Sequence, residues 1–327
     1  MGYFLYGSLG TYSVSSLGSG AYKHTFNTAN KLPSFSIEQC QGDTTSQQEQ
    51  NTYRAFGVMM DSFEMSGSDG IIGFKSSVKA HGIFMKANIT ANATIGTPAT
   101  ITVDNNEGLI VGDAVLVSET IGVTPTIEQT TLTAVNVSGT SISANLTATK
   151  ELAQLPKVEL VPQTPSFSAT QNLFSFVHAK FQFGDTVTAA RSATEENIEN
   201  WTLSYSNQLE ERYGSKRATP SVIAEKGASG MIKYTKYFES RIDRDRYLDQ
   251  TRLACVLTLT LSKNISTSTT PYKMEVALSD TRFTGYKMDT GADDVFVAEM
   301  EAEIFYDSTD GKALEIALWN EMADYNT

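Results

Sequence analysis

Cysteine is nearly missing: Cys40 and Cys255 are the only two in 327 residues. So few thiols exclude a disulfide framework and a cysteine-based zinc centre. Histidine is scarce too, and His24, His81 and His178 form no i, i+4 pair and no short motif. They read as surface or sheet-lining side chains rather than metal ligands. No run of about 18 apolar residues occurs, so no helical membrane span is expected. Residues 1–10 (MGYFLYGSLG) are briefly apolar but have no positive leader, and they do not read as a signal peptide. Charge is thin, at 19% of residues against roughly 25% in ordinary globular proteins. A soluble chain with so little charge is expected to hide part of its surface in an assembly. The 25 basic and 37 acidic residues leave a net charge of −12. That balance argues against gripping nucleic acid, which needs basic patches that release counterions. It leaves open a protein that DNA merely passes.

The most telling absence is local. No Phe, Tyr or Trp occurs between Phe84 and Phe167, although about eight would fall there at the chain's 10% aromatic content. The stretch is rich in Thr, Val, Ile, Ala and Asn, and Gly108, Gly112, Gly122 and Gly139 punctuate it. Short β-branched runs between glycines read as strands and turns. Residues 87–165 are therefore expected to form a small all-β insert, with Pro156, Pro162 and Pro165 marking its exit. The length suggests about two domains. Residues 1–86 and 166–327 are expected to form the N-terminal part of one larger region and a C-terminal domain.

What is present is strand periodicity. Trp201, Leu203 and Tyr205 alternate with Thr202, Ser204 and Ser206. Leu253, Cys255, Leu257, Leu259 and Leu261 form one face of a long strand, and Met274, Val276 and Leu278 repeat the pattern. Phe296, Ala298, Met300, Ala302, Ile304 and Tyr306 predict another face, and Leu314, Ile316 and Leu318 a last one. Period two is the mark of a half-buried strand, so the fold class is all-β with at most one or two short helices. The best helical candidate is residues 239–252 (ESRIDRDRYLDQTR), with Ile242 on one side and Leu248 and Leu253 as anchors. Two strand–link–strand segments, 34–84 and 201–239, resemble each other weakly as an internal repeat.

Catalytic constellations do not emerge. Cys255 sits on an apolar strand face, and Cys40 has no neighbouring histidine. The lone Gly18-Ser19-Gly20 has no following helix signal, so it does not read as a phosphate loop. Glu195-Glu196 and Asp293-Asp294 lie in polar loops, where solvated carboxylates are expected. A glycosidase would need two carboxylates about 5–10 Å apart in a cleft, and nothing in the sequence predicts one. More informative are Glu299, Glu301 and Glu303, which must share one face of their strand while Met300, Ala302 and Ile304 take the other. Three like charges on one sheet face need water or basic neighbours. The face turns either to solvent or to an interface or acidic channel.

Several strings resemble one family, the major tail tube proteins of long-tailed bacteriophages. Residues 24–38 (HTFNTANKLPSFSIE) are similar to the family's HTF…LPSFTIE segment, and residues 53–65 (YRAFGVMMDSFEM) follow as its strand pair does. Residues 70–84 resemble the family's next sheet strand, residues 201–214 (WTLSYSNQLEERYG) and 220–239 resemble segments further downstream, and 272–278 and 295–306 the closing strands. Residues 103–117 (VDNNEGLIVGDAVLV) resemble the small β-modules such proteins carry. The likeness covers most of the chain through loose motifs. It implies tail-tube-type β-sandwich or half-barrel domains plus an external insert, with no enzymatic activity, no cofactor and no metal. It also implies a virion protein assembled in the bacterial host cytoplasm. The expected partners are further copies of the chain, in stacked rings of three two-domain or six one-domain subunits. Tape measure, tail-tip and tail-terminator proteins complete the set, and DNA passes through the lumen without specific binding. Glu299, Glu301 and Glu303 are the lumen candidates. The loop 42–51 (GDTTSQQEQN), with Asp43, Gln47, Gln48 and Glu49, is the candidate ring-stacking contact. One departure stands out: a segment like residues 2–10 lies well inside two-domain relatives. Here it starts the chain, so half of a first tube domain is expected either to be missing or never to have been encoded. A carbohydrate- or cell-surface-binding β-protein is the alternative, although the insert has no aromatic residue on which a sugar would stack.

Overall fold

The computed structural model describes residues 1–41, 51–119, 127–136, 139–151, 155–161, 172–215, 219–289 and 296–325. The first stretch holds helix α1 (Gly2–Leu9), then β1 (Gly10–Gly18), β2 (Ala21–Thr28), β3 (Phe35–Gln41), β4 (Asn51–Gly67), β5 (Gly73–Lys79) and β6 (Gly82–Phe84). Six strands follow: β7 (Lys86–Asn88), β8 (Gly96–Thr102), β9 (Ala114–Ser118), β10 (Ile127–Val135), β11 (Ser141–Leu146) and β12 (Lys157–Leu160). After a 3-10 turn at Phe176–His178 come β13 (Ala179–Gly184), α2 (Val187–Ser192), β14 (Glu195–Glu196), β15 (Ile198–Ser206), β16 (Leu209–Arg212) and β17 (Val222–Glu225). The chain continues through β18 (Ser229–Tyr237), α3 (Ile242–Leu248), β19 (Arg252–Asn264), β20 (Pro271–Asp289), β21 (Val297–Phe305) and β22 (Leu314–Asn320).

The protein is all-β, built on a curled half-barrel sheet. Fourteen strands share that sheet, whose main path is β1-β2-β22-β20-β21-β18-β15-β4-β3. β20 makes the curl. Along one edge its first half pairs with β22 (Lys273–Leu278), and its second half pairs with β21 (Asp280–Asp289). Two layers therefore diverge from one strand. One layer runs through β22, β2 and β1, with β19 and β13 on the far side of β20. The other runs through β21, β18, β15 and β4.

The inner faces of the two layers meet in one core. Phe181 of β13 lies edge-on to Trp201 of β15 at 5.7 Å, and Phe183 packs on Tyr234 and Phe283 at 5.6 and 6.0 Å. Leu257, Met274, Leu203, Ile232, Met300 and Ile316 fill the space between the rings. The alternation that predicted these strands appears as burial: Trp201, Leu203 and Tyr205 are buried while their neighbours are half exposed. One predicted face is shorter than expected. Phe296 and Tyr306 lie just beyond the ends of β21 and are 53% and 64% exposed, so the core face runs from Ala298 to Ile304.

Helix α1 closes the sandwich between β2 and β4, with Leu5 and Leu9 buried in the main core. Its glycines permit the close fit: a Cβ at Gly7 would stand 2.6 Å from the Met60 side chain. The buried Asn207 amide donates to the carbonyls of Ser8 and Met60, each at 2.9 Å, and so ties the end of α1 to β4. Helix α3 falls inside the charged segment predicted to be helical, but Ile242 and Leu248 are exposed. Its anchors are Asp243 and Arg246, because a charge network meets it where an apolar seam was expected.

Strand β4 leaves the sandwich at Gly57, whose φ of +58° turns the strand and where a Cβ would stand 2.8 Å from that of His81. Beyond the turn β4 pairs with β3 and β6 and leads to the second sheet, of order β7-β12-β9-β10-β11-β8. This sheet has its own core, made of Ile, Val, Leu and Ala side chains around Phe84.

Candidate functional site

The three glutamates lie on the outer, polar face of the layer that carries β21. β21 sits between β18 and β20, so each glutamate has a neighbour on both sides. Glu299 lies opposite Thr235 and Lys287, Glu301 opposite Lys233 and Gly285, and Glu303 opposite Met231 and Arg282. Lys233 Nζ approaches Glu301 Oε1 at 2.5 Å, and Lys287 Nζ lies 3.6 Å from Glu299 Oε2. Gly285 leaves room for the Glu301 stem, since a Cβ there would stand 3.1 Å from it.

The rows continue across the layer. From Glu303 one row passes through Met231, Ser204 and Glu64 to Lys75 on β5. From Glu301 the next passes through Lys233 and Thr202 to Ser66. Along these rows Glu64, Glu299, Glu301 and Glu303 are matched by Lys75, Lys233, Arg282 and Lys287. The stripe is therefore not the bare line of like charge that alternation alone suggests. Cross-strand partners offset it, as opposite charges facing each other across a sheet do. Serine and threonine hydroxyls take many of the remaining positions, with Met231 an apolar member of the first row, and Ser62 bonds Ser77 at 2.6 Å. A cavity of about 830 Å³ lies against this surface, lined by Ser62, Glu64, Ser76, Ser206, Ser229 and Glu303 among others. Tyr205 backs it from the core side, and burial pushes its phenol up to about 12.

The four loop candidates, Asp43, Gln47, Gln48 and Glu49, lie outside the described residues, as does Asp293-Asp294. The Glu195-Glu196 pair departs from the solvated loop expected of it. It forms β14, paired with β13, and Glu196 joins a partly buried network. Lys236, with a side chain 7% exposed, donates to Glu196 and Asp243 at 2.7 Å each, and Arg246 reaches the same two carboxylates at 3.1 and 3.0 Å. Burial works against the Lys236 charge, yet the hydrogen bonds it donates to Asp243 and Glu196 outweigh it and hold its pKa above the usual lysine value. Burial likewise pushes Glu196 up, and Lys236 and Arg246 together pull it below the ordinary carboxylate range.

A second network joins the two sheets. Arg54 on β4 donates to Asp113 at 2.5 and 2.8 Å, to Glu38 at 2.9 Å and to the Gly108 carbonyl at 2.9 Å. Burial opposes the guanidinium charge, and the two carboxylates more than restore it. Sequence reasoning missed both networks, since each is closed by a long-range pair, Lys236 with Glu196 across 40 positions and Arg54 with Asp113 across 59. The only signal was charge at the inward positions of strands. His24 is buried, with Nδ1 3.0 Å from the Tyr12 hydroxyl, and Cys40 is exposed while Cys255 is buried. Among the described residues no three His, Cys, Asp or Glu side chains group as a metal ion would need. Nor is any described helix long and apolar enough to cross a membrane.

No family model matches the sequence, and no curated protein matches it. Among solved structures the chain is similar to the SPP1 tail tube determined by solid-state NMR and cryo-EM. The two share 9% identity at a TM-score of 0.33, over 46% of this chain and 81% of that one.

Proposed function

We propose that this chain is a structural virion protein, a tail tube subunit whose layer bearing Glu299, Glu301 and Glu303 faces a DNA-conducting lumen. The observation that carries the reading is the balanced polar face spread over six strands and backed by an aromatic core. A wall that DNA must slide along has two requirements. It must not collect phosphates, so it needs no excess of Lys and Arg. It must also stay wetted, so it needs hydroxyls and paired charges rather than apolar groups. The row from Lys75 to Arg282 is balanced in charge and polar except at Met231. The overall charge of −12 adds long-range repulsion of phosphate.

In this reading the chain catalyses nothing and carries no cofactor. Layers from neighbouring copies join edge to edge and close into rings, which removes the open edges that would otherwise aggregate. Rings of three or six chains stack head to tail, and the loop 42–51 supplies the stacking contact. The six-stranded sheet is carried outside, clear of the lumen. Tape measure, tail-tip and tail-terminator proteins are the remaining partners.

Negative-stain electron microscopy of the purified chain at rising concentration tests this directly. Rings or hollow tubes are expected, and the symmetry of ring averages separates three subunits from six. A monomer at every concentration, or solid fibres with no lumen, would count against the assignment.

A further inference from the structure

Residues 321–325 follow β22 without joining a sheet. Glu321, Met322 and Ala323 are exposed, and Tyr325 is the one buried side chain of the segment. The Tyr325 ring fills the corner where α1 meets β1 and β2. It lies edge-on to His24 at 4.8 Å and to Tyr3 of α1 at 5.1 Å, and it leaves no room for a Cβ at Gly2. The Tyr325 amide donates to the Tyr12 hydroxyl at 3.1 Å, and that hydroxyl is the one beside His24 Nδ1. Asn320 donates to the Tyr325 hydroxyl at 2.8 Å, and Glu321 accepts from the Tyr272 hydroxyl.

His24 is fully buried, and its Nε2 has no hydrogen-bond partner among the described residues. A neutral imidazole tolerates this, because one of its nitrogens carries no proton. The imidazolium does not, because both nitrogens then donate and a charged N–H is buried unpaired. Charge near the ring is thin. β1 and α1 contain no charged side chain, Glu315 of β22 pairs with Lys312, and Lys23 of β2 lies over the Trp319 ring at 5.1 Å. The phenols of Tyr12, Tyr22 and Tyr325 surround the imidazole. Asp324 is the carboxylate whose charge reaches it. Burial pushes the His24 pKa down, and it outweighs the Met322 carbonyl, the Asn320 side chain and Asp324, which all favour the charged form.

We propose that residues 321–325 are an acid-released latch, held shut by Tyr325 and triggered by His24. Once Tyr325 lifts, water reaches Nε2, and the open form takes up a proton at the ordinary histidine pKa of about 6.5. The open form then binds more protons than the closed one, so falling pH favours opening. The closed latch is fully favoured above about pH 6.5 and gives way below it. Opening also frees the start of α1, since Gly2 and Tyr3 rest on the Tyr325 ring. It is local, because a single buried ring holds the segment in place. The inference uses no part of the tube assignment.

Hydrogen exchange of the full chain between about pH 7.5 and 5.5, corrected for the intrinsic pH dependence of exchange, tests the proposal. The amides of Tyr325 and of α1 should lose about tenfold protection across that range, since a pH one unit below the open-form pKa favours the charged form tenfold. Those of β15, β18 and β21 should keep theirs. His24→Phe fills the aromatic corner but cannot titrate, and it should abolish the pH dependence. Asp324→Asn should retain it. The proposal is overturned if the parent stays equally protected at the lower pH, if His24→Phe opens in acid as the parent does, or if Asp324→Asn stays shut. Where His24→Phe does not fold, an NMR titration of the parent decides. The His24 ring should charge only together with the release of Tyr325, and a ring that charges while Tyr325 stays docked removes His24 as the trigger.

Discussion

The large sheet fills its interior with Trp201, Phe181, Phe183, Tyr234, Phe63 and Phe283, whereas the six-stranded sheet packs aliphatic side chains around Phe84, with the half-buried Phe56 against them. Both interiors are built on strands of period two, so the difference lies in reach. Facing layers stand about 10 Å apart, and a ring that buries 150–250 Å² can touch the opposite layer from a single position. The curled layers around β20 depend on that reach. The smaller sheet puts fewer residues inward, and β10 buries Leu132 alone among its nine. Valine, isoleucine and alanine fill its shorter spans. One consequence concerns the outer faces. With its stability concentrated on one side, the glutamate-bearing layer is free to carry hydroxyls and balanced charge on the other.

Removing Trp201 tests the larger half of the comparison. It is 1% exposed and pinned between Phe181 and the backbone at Gly67. Trp201→Ala should cost about 4–5 kcal/mol, because the rings around it cannot collapse into the space. Urea unfolding followed by circular dichroism measures this. A loss under about 2 kcal/mol would mean that the aromatic core is plastic and the contrast between the sheets is one of composition only.

Arg54→Ala attacks the joint between the two regions. It strands Asp113, whose side chain is 2% exposed, and leaves Glu38 without its guanidinium. Truncating one partner of a buried pair costs about 3–4 kcal/mol, most of it from the orphaned charge. The double variant Arg54→Met/Asp113→Leu should regain most of that loss. If the double variant is as unstable as the single one, the network orders the turn at Gly108 in a way that apolar packing cannot replace.

Leu132→Ala probes the smaller half. With little other apolar mass in β10, the change should cost about 2–3 kcal/mol. Its effect should also be local. Amides across β7–β12 should lose exchange protection while β15, β18 and β21 keep theirs, since the cores are separate clusters. Uniform loss across both sheets would show them to be one cooperative unit.

These three sites also divide what could be read in advance from what could not. Trp201 and its strand were legible because Trp201, Leu203 and Tyr205 alternate cleanly with polar residues, and period two needs no partner to be recognised. The same holds for β19, β21 and β22, and for the inward–outward split of Glu299, Glu301 and Glu303 from Met300 and Ala302. Helix α1 was not legible: GYFLYGSL is apolar all round, with no polar stripe to reveal a helical period. Helix α2 was missed because it is six residues long, although Thr186, whose hydroxyl accepts from the Ala189 amide, is an ordinary N-cap signal. Arg54 and Lys236 escaped notice because a charge in a strand reads as surface until its distant partners are known. The basic neighbours of the glutamates escaped for the same reason, since strand order is not written in any one segment.

A smaller effect separates the regions by pH. Glu196 and Glu275 belong to the large sheet, and both are held below the ordinary carboxylate value of 4.5 by basic neighbours that outweigh burial. A carboxylate depressed in the folded state adds stability above its unfolded pKa, and that stability is lost as pH falls through the folded pKa. The stability of the large sheet should therefore hold above about pH 4.5 and decline below it. Glu196→Gln should flatten that slope. An unchanged acid limb in the variant would remove the Lys236–Arg246 network from the account.

The smallest expected effect falls on the polar face itself. Lys233 and Glu301 are paired at 2.5 Å, but their side chains are 53% and 42% exposed. Solvent screens such a pair, and its net worth is about 0–1 kcal/mol. Glu301→Gln should therefore leave the unfolding midpoint nearly where it was. If it does, the glutamate face is not kept for folding stability, and its regular matching of Glu299, Glu301 and Glu303 to basic neighbours needs a reason outside the subunit. A wall that meets DNA supplies one. If the variant instead loses several kcal/mol, the rows are structural. The contrast between a stabilising inner face and a permissive outer face then fails at the place where the proposed function needs it.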